Sequence, residues 1–188
     1  MSLLSKKQRQ DYLKYLGFYK GEIDGKIGPL TKQAYIDLQA CYFDRKKDID
    51  GKYGKNTDIL LRNAYNVKMY AGKHFKLSEF KCGCGRKYCT GYPVVISPTV
   101  LIALKFLRHR FGETIVTSGL RCKKYNSKLV GSSKNSRHLL GKAVDFKGDY
   151  TDTKVKRSAL KKFLYSNYFV RYTYSDTSNM GTAIHFDF

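Results

Sequence analysis

No stretch of about 18 consecutive apolar residues occurs in this 188-residue chain, which excludes a bilayer-spanning helix. The N-terminus, MSLLSKKQRQDYLKYLGFYK, has no apolar segment of signal-peptide length and no small-residue cleavage site. Synthesis in the cytoplasm without an export signal is therefore expected. Acidic residues are scarce as well: 15 Asp plus Glu stand against 36 Lys plus Arg, a formal net charge of +21. Such an excess makes a polyanion an expected partner, with plain solubility as the alternative. The signatures that would make that partner a nucleic acid are missing, since there is no zinc-finger spacing, no aromatic RNA-binding signature and no basic helix leading into heptads. The cations are spread along the chain rather than gathered into an arm.

Apolar residues make up 42% of the chain and aromatics 14%, enough to bury real cores. The length suits one medium domain or two small ones, and the pattern below favours two. Five cysteines, Cys41, Cys82, Cys84, Cys89 and Cys122, leave at least one thiol without an intramolecular partner. Three of them cluster in KCGCGRKYC, where a metal clip, a bridge and a tight loop are all open readings; the spacing lacks a second ligand pair. His74 is near enough in sequence to be a fourth ligand, or is simply solvated.

The N-terminal third repeats itself. Residues 23–31 read IDGKIGPLT and residues 49–57 read IDGKYGKNT, each an apolar residue, a D-G turn, a second Gly three positions on, and a Thr before a helically spaced stretch. Glycine supplies positive φ and Asp stabilises turns through its side chain. Helical spacing then places Ala34, Tyr35 and Leu38 on one face, and Ile59, Leu60 and Ala64 on another. An earlier helix carries Tyr12, Leu13 and Leu16 and stops at Gly17. The expected product is a small all-α three-helix bundle over residues 1–66, followed by a linker at 67–74. Leu16, Gly17, Tyr19, Gly21, Ile23, Asp24, Gly25, Gly28 and Thr31 fill the pattern LGxYxGxIDGxxGxxT, so this part resembles the peptidoglycan-binding domain of wall hydrolases; the second copy has Lys55 where that family often has Pro. The resemblance implies attachment to peptidoglycan, and a structural bundle with no ligand is the alternative.

Residues 136–145, SRHLLGKAVD, and the terminal AIHFDF carry the chemistry-bearing residues of the remainder. A hydrolytic zinc site needs about three His, Asp or Glu ligands and one open position for water, and His138, Asp145 and His185 supply such a set. AVDF reads as a short buried strand with Ala143 and Asp145 facing the same way. IHFDF reads as a second strand, with His185 and Asp187 on one face and Ile184, Phe186 and Phe188 toward the core. Two such strands would converge on one metal. Helices are expected over SPTVLIALKFLRHRFG, where His109 is exposed, and over VKRSALKKFLYS before a strand in NYFVRYTY. Residues 75–188 are thus expected to form an α+β domain with a mostly antiparallel sheet.

Ser136, His138, Gly141, Ala143 and Asp145 fill S-x-H-x-x-G-x-A-x-D, which resembles the motif of the zinc D-alanyl-D-alanine carboxypeptidases and L-alanyl-D-glutamate endopeptidases. FKLSEFKCGCG and IVTSGLRC resemble further stretches of that family in the same order. The resemblance implies a peptidase with one catalytic Zn2+ held by His138, Asp145 and His185, with Ser136 near the substrate. It also implies that Arg121 meets developing negative charge, an ordinary ion pair being the alternative. The chain departs from the family at Thr182 and Ala183, where a catalytic acid or histidine is usual. Asp187 is the substitute base or an acceptor that orients a ligand, and Asp176 is the reserve. The whole then reads as a monomeric, phage-type endolysin, released to act at the wall on the stem peptide, with anionic wall polymers as further partners and no nucleic acid. A wall-binding protein without catalysis is the competing expectation.

Overall fold

A computed structural model describes residues 2–167, 170–174 and 180–188. The N-terminal region is helical. α1 (Lys6–Leu16) is fixed at its start by a reciprocal cap between Ser5 and Gln8 and closes on Gly17 in the left-handed conformation. α2 (Pro29–Tyr42) and α3 (Lys55–Asn66) each begin within the last three residues of one copy of the repeat. Pro29, with its preset φ and no N–H to satisfy, occupies the first turn of α2, so Thr31 lies inside that turn rather than before it.

Each repeat closes on a buried glutamine. Gln10 Oε1 accepts from the Gly25 amide at 2.7 Å while its Nε2 donates to Asp24 Oδ1 at 2.8 Å and Lys26 O at 3.0 Å. Gln39 does the same one copy later, with the Gly51 amide at 2.8 Å, Asp50 Oδ1 at 3.1 Å and Lys52 O at 3.0 Å. The D-G pair is needed in both, because the Asp carboxylate also accepts the amide two residues on and the Gly takes φ of 80° or 67°. Leu13, Leu38, Leu60 and Leu61 are fully buried between the helices, and Tyr12 stacks on Tyr65 with ring centroids 3.8 Å apart. Each such leucine contributes about 1.5–3 kcal/mol relative to exposure.

Residues 67–74, expected to link two domains, are helical turns that continue from α3 and bury Val67 and Ala71. They pack on α4 (Pro98–Phe111), and Asn63 of α3 accepts the Ile96 amide at 3.0 Å. One apolar core runs through both regions.

The C-terminal region adds β1 (Ile115–Ser118), α5 (Lys123–Asn126), β2 (Ala143–Lys147), α6 (Lys154–Ser166), β3 (Tyr172–Tyr174) and β4 (Ile184–Asp187). The strands form one sheet in the order β1-β2-β4-β3, antiparallel at every step, as the sequence pattern led us to expect. Alternation sends Val144, Phe146, Ile184 and Phe186 into the core with Leu104 and Leu107 of α4 and Leu160 and Leu164 of α6. Phe188 is only partly buried, and His109 is exposed as expected. Among the described residues no helix is long and apolar enough to cross a membrane.

Candidate metal centre

Asp145 and His185 meet because β2 and β4 are adjacent and in register, Asp145 opposite His185 and Ala143 opposite Asp187. His138 arrives from a 3-10 turn, Arg137–Leu140, that stops at Gly141. That glycine has φ 66°, and a Cβ on it would lie 2.0 Å from the Val95 carbonyl oxygen. No other residue fits there, so the two halves of the site are joined through a position only glycine can fill. His138, Asp145 and His185 are all buried.

Their ligand atoms form a tight triangle. His138 Nε2 is 3.2 Å from both Asp145 Oδ1 and His185 Nδ1, and His185 Nδ1 is 2.7 Å from Asp145 Oδ1. Zinc held tetrahedrally at about 2.0–2.2 Å from N and O donors sets those donors about 3.3–3.6 Å apart. The two edges at His138 match closely and the third is shorter. Two imidazoles and one carboxylate are also a donor set suited to zinc, so the residues fit the ion.

The surroundings set the tautomers. His138 Nδ1 lies 2.6 Å from the Gly119 carbonyl, which only accepts, so Nδ1 bears the proton and Nε2 offers its lone pair inward. In His185 the roles reverse: Nδ1 faces the cluster and Nε2 lies 3.5 Å from Asp187 Oδ2. Asp187 is itself held by Arg171, whose Nη2 donates to Oδ2 at 2.8 Å, while its buried Oδ1 has no hydrogen-bond partner among the described residues. Burial alone would raise the Asp145 carboxyl, but the imidazoles of His138 and His185, which donate to it whenever their inward nitrogens carry a proton, outweigh that and hold the group far below the usual carboxylate range.

Arg121 is tied to the same carboxylate. Its Nη2 donates to Asp145 Oδ2, and its Nε donates to Ser118 Oγ at 3.0 Å. A bulge in β1 between Val116 and Ser118 sets Ser118 opposite Asp145. Arg121 also lines a cleft of about 800 Å3 together with Ser136, Arg137, Lys123, Lys134 and Arg171. Ser136 is half-buried at the start of the 3-10 turn, so it faces this cleft and takes no place among the ligands. Thr182 is exposed and Ala183 buried. Asp176 lies outside the described residues.

Four contributors escaped the sequence reading. They are the Gly119 carbonyl, Ser118, Arg171, and Tyr174, whose ring stacks on His185 at 4.5 Å. Only Tyr174 had a visible signal, because pairing YTY with the last strand places it opposite His185.

A comparison with curated proteins finds no match. Residues 73–187, more than half of the chain, match the family model described as Peptidase M15, and the span takes in the sheet, the triad and the cleft. The helical repeats before residue 73 lie outside that match. By this match and by the ligand set at its centre, the chain belongs to the peptidase M15 family.

Proposed function

We propose that this protein is a zinc-dependent peptidase that hydrolyses the stem peptide of peptidoglycan, held at the wall by its N-terminal helical region. The observation that carries the reading is the convergence of His138, Asp145 and His185 in a domain of this family. Zinc bound there supplies a Lewis acid for the scissile carbonyl and lowers the pKa of a coordinated water. The chain's own groups do the rest. Gly119 and Asp187 fix the two imidazole rings, and Arg121 fixes the Asp145 carboxylate while facing the cleft, where its charge can meet an oxyanion or a substrate carboxylate. Stem peptides carry free carboxylates, and the cleft wall presents Arg121, Lys123, Lys134, Arg137 and Arg171.

The contact of Asp187 with the outward nitrogen of His185 favours the orienting role for this residue. Asp176, two residues beyond Tyr174 in sequence, is then the carboxylate proposed to handle the proton. Cleavage between L-alanine and D-glutamate is the preferred reaction, because it weakens the network; release of terminal D-alanine is the second. A non-catalytic wall-binding protein is the competing reading, favoured by Thr182 and Ala183 where relatives carry an acid or a histidine.

Purified walls incubated with the full chain should lose turbidity, and a chelator should stop the loss until zinc is restored. Mass spectrometry of the released fragments should show new N-terminal D-glutamyl peptides. Walls that bind the protein but neither clear nor release fragments would establish the non-catalytic reading instead.

A further inference from the structure

We propose that Cys82, Cys84, Cys89 and Cys122 form a second, structural metal site that binds one Zn2+ through four thiolates, separate from the His138–Asp145–His185 centre. Their sulfur atoms all lie within 4.8 Å of one another, although Cys122 is 33 residues beyond the nearest of the others. Cys84 Sγ and Cys89 Sγ are 3.6 Å apart. A disulfide requires about 2.05 Å. Four sulfurs at about 2.3 Å from a central zinc stand about 3.8 Å apart, which is close to the observed spacing.

The backbone is arranged for thiolates. The amides of Cys122, Gly91 and Tyr125 donate to the sulfurs of Cys82, Cys89 and Cys122 at 3.3, 3.4 and 3.4 Å. Such donors orient thiolate ligands and spread their charge. Cys82 and Cys84 are buried, Cys89 and Cys122 half-buried, and Lys81, Arg86, Lys87, Lys123 and Lys124 adjoin them in sequence to offset the two net negative charges of a zinc tetrathiolate. His74, the alternative fourth ligand, is exposed and outside the cluster. Cys41 is exposed and far in sequence from the other four.

The position gives the site a task. Leu120 donates its amide to Phe80 O at 2.9 Å and Arg121 donates its amide to His138 O at 3.1 Å. A metal joining Cys82, Cys84 and Cys89 to Cys122 therefore staples the segment after Phe80 to the segment that holds Gly119 against His138 and Arg121 against Asp145. Binding releases the thiol protons and stabilises only the folded arrangement.

The full chain loaded with zinc should contain two zinc ions by elemental analysis, and the double variant His138→Ala, His185→Ala should keep one. Loaded with cobalt, that double variant should show the intense sulfur-to-cobalt charge-transfer absorption of a tetrahedral thiolate site, and Cys84→Ser, Cys89→Ser should abolish it. On wild type, a mercurial titrant should react first with Cys41 and then release one zinc as four further thiols are consumed, a readout that needs no variant to fold. A histidine double variant without metal, a cobalt form without thiolate absorption, or an intact mass showing disulfides among these cysteines would overturn the proposal. Each result is independent of whether the protein cleaves peptidoglycan.

Discussion

The imidazole of His138 shows how a single backbone atom decides what a ligand can do. The Gly119 carbonyl leaves Nε2 unprotonated, and Asp187 stands at the opposite nitrogen of His185. Replacing Asp187 by Asn should therefore weaken zinc affinity by about 10–100-fold. Asp176→Asn should leave zinc content unchanged and abolish turnover. Competition with a chromophoric chelator measures the first and wall clearing the second; full zinc affinity in Asp187→Asn would remove the orienting role. The three candidate ligands were legible in sequence because two of them are among only four histidines in the chain, all three stand at a family spacing, and period two put His185 and Asp187 on one face. Gly119, Ser118 and Arg171 were not. A carbonyl leaves no mark in the sequence, and Ser118 reaches its place only through a bulge.

At the scale of elements, the junction between the Arg137–Leu140 turn and β2 holds the site together. Gly141 there has both a left-handed backbone and no space for a Cβ. Gly131 has φ 74° with nothing among the described residues within 4 Å of a Cβ, so it isolates the backbone cost alone. Gly131→Ala should destabilise by about 1 kcal/mol. Gly141→Ala should cost several times more, about 3–5 kcal/mol, because the Val95 backbone must move as well. Denaturant melts of both variants check this, and equal losses would mean that Val95 yields freely. Helices α1 to α4 and α6 and strands β2, β3 and β4 were legible from periodicity, whereas β1, α5 and the helical turns at 67–74 were not. The glutamines that close both repeats were not, because Gln10 and Gln39 are polar residues on helices read by their apolar faces, and their partners lie 15 and 12 residues away. The Cys122 partnership was hidden for the same reason of distance.

For the whole molecule, the net charge of +21 would set how the proposed wall hydrolase meets an anionic wall. If phosphate polymers contribute to attachment, cosedimentation with intact walls should weaken as salt rises past about 0.1 M, where the Debye length is about 10 Å. Walls stripped of those polymers should bind less at low salt and show little salt dependence. Identical binding to both would assign attachment to peptidoglycan alone. The expectation set a linker at 67–74, whereas the family match begins at residue 73, and periodicity gave no notice that Val67 and Ala71 are buried.

That burial changes what the N-terminal helices can contribute. A cutting head on a loose tether sweeps a volume and samples many bonds near its anchor. Here Asn63 grips the Ile96 amide and the turns after α3 are wedged against α4, so the cleft stands at a set distance and angle from whatever surface the helices rest on. If it hydrolyses the wall as proposed, such a molecule addresses one bond per landing and must lift off and settle again to reach the next.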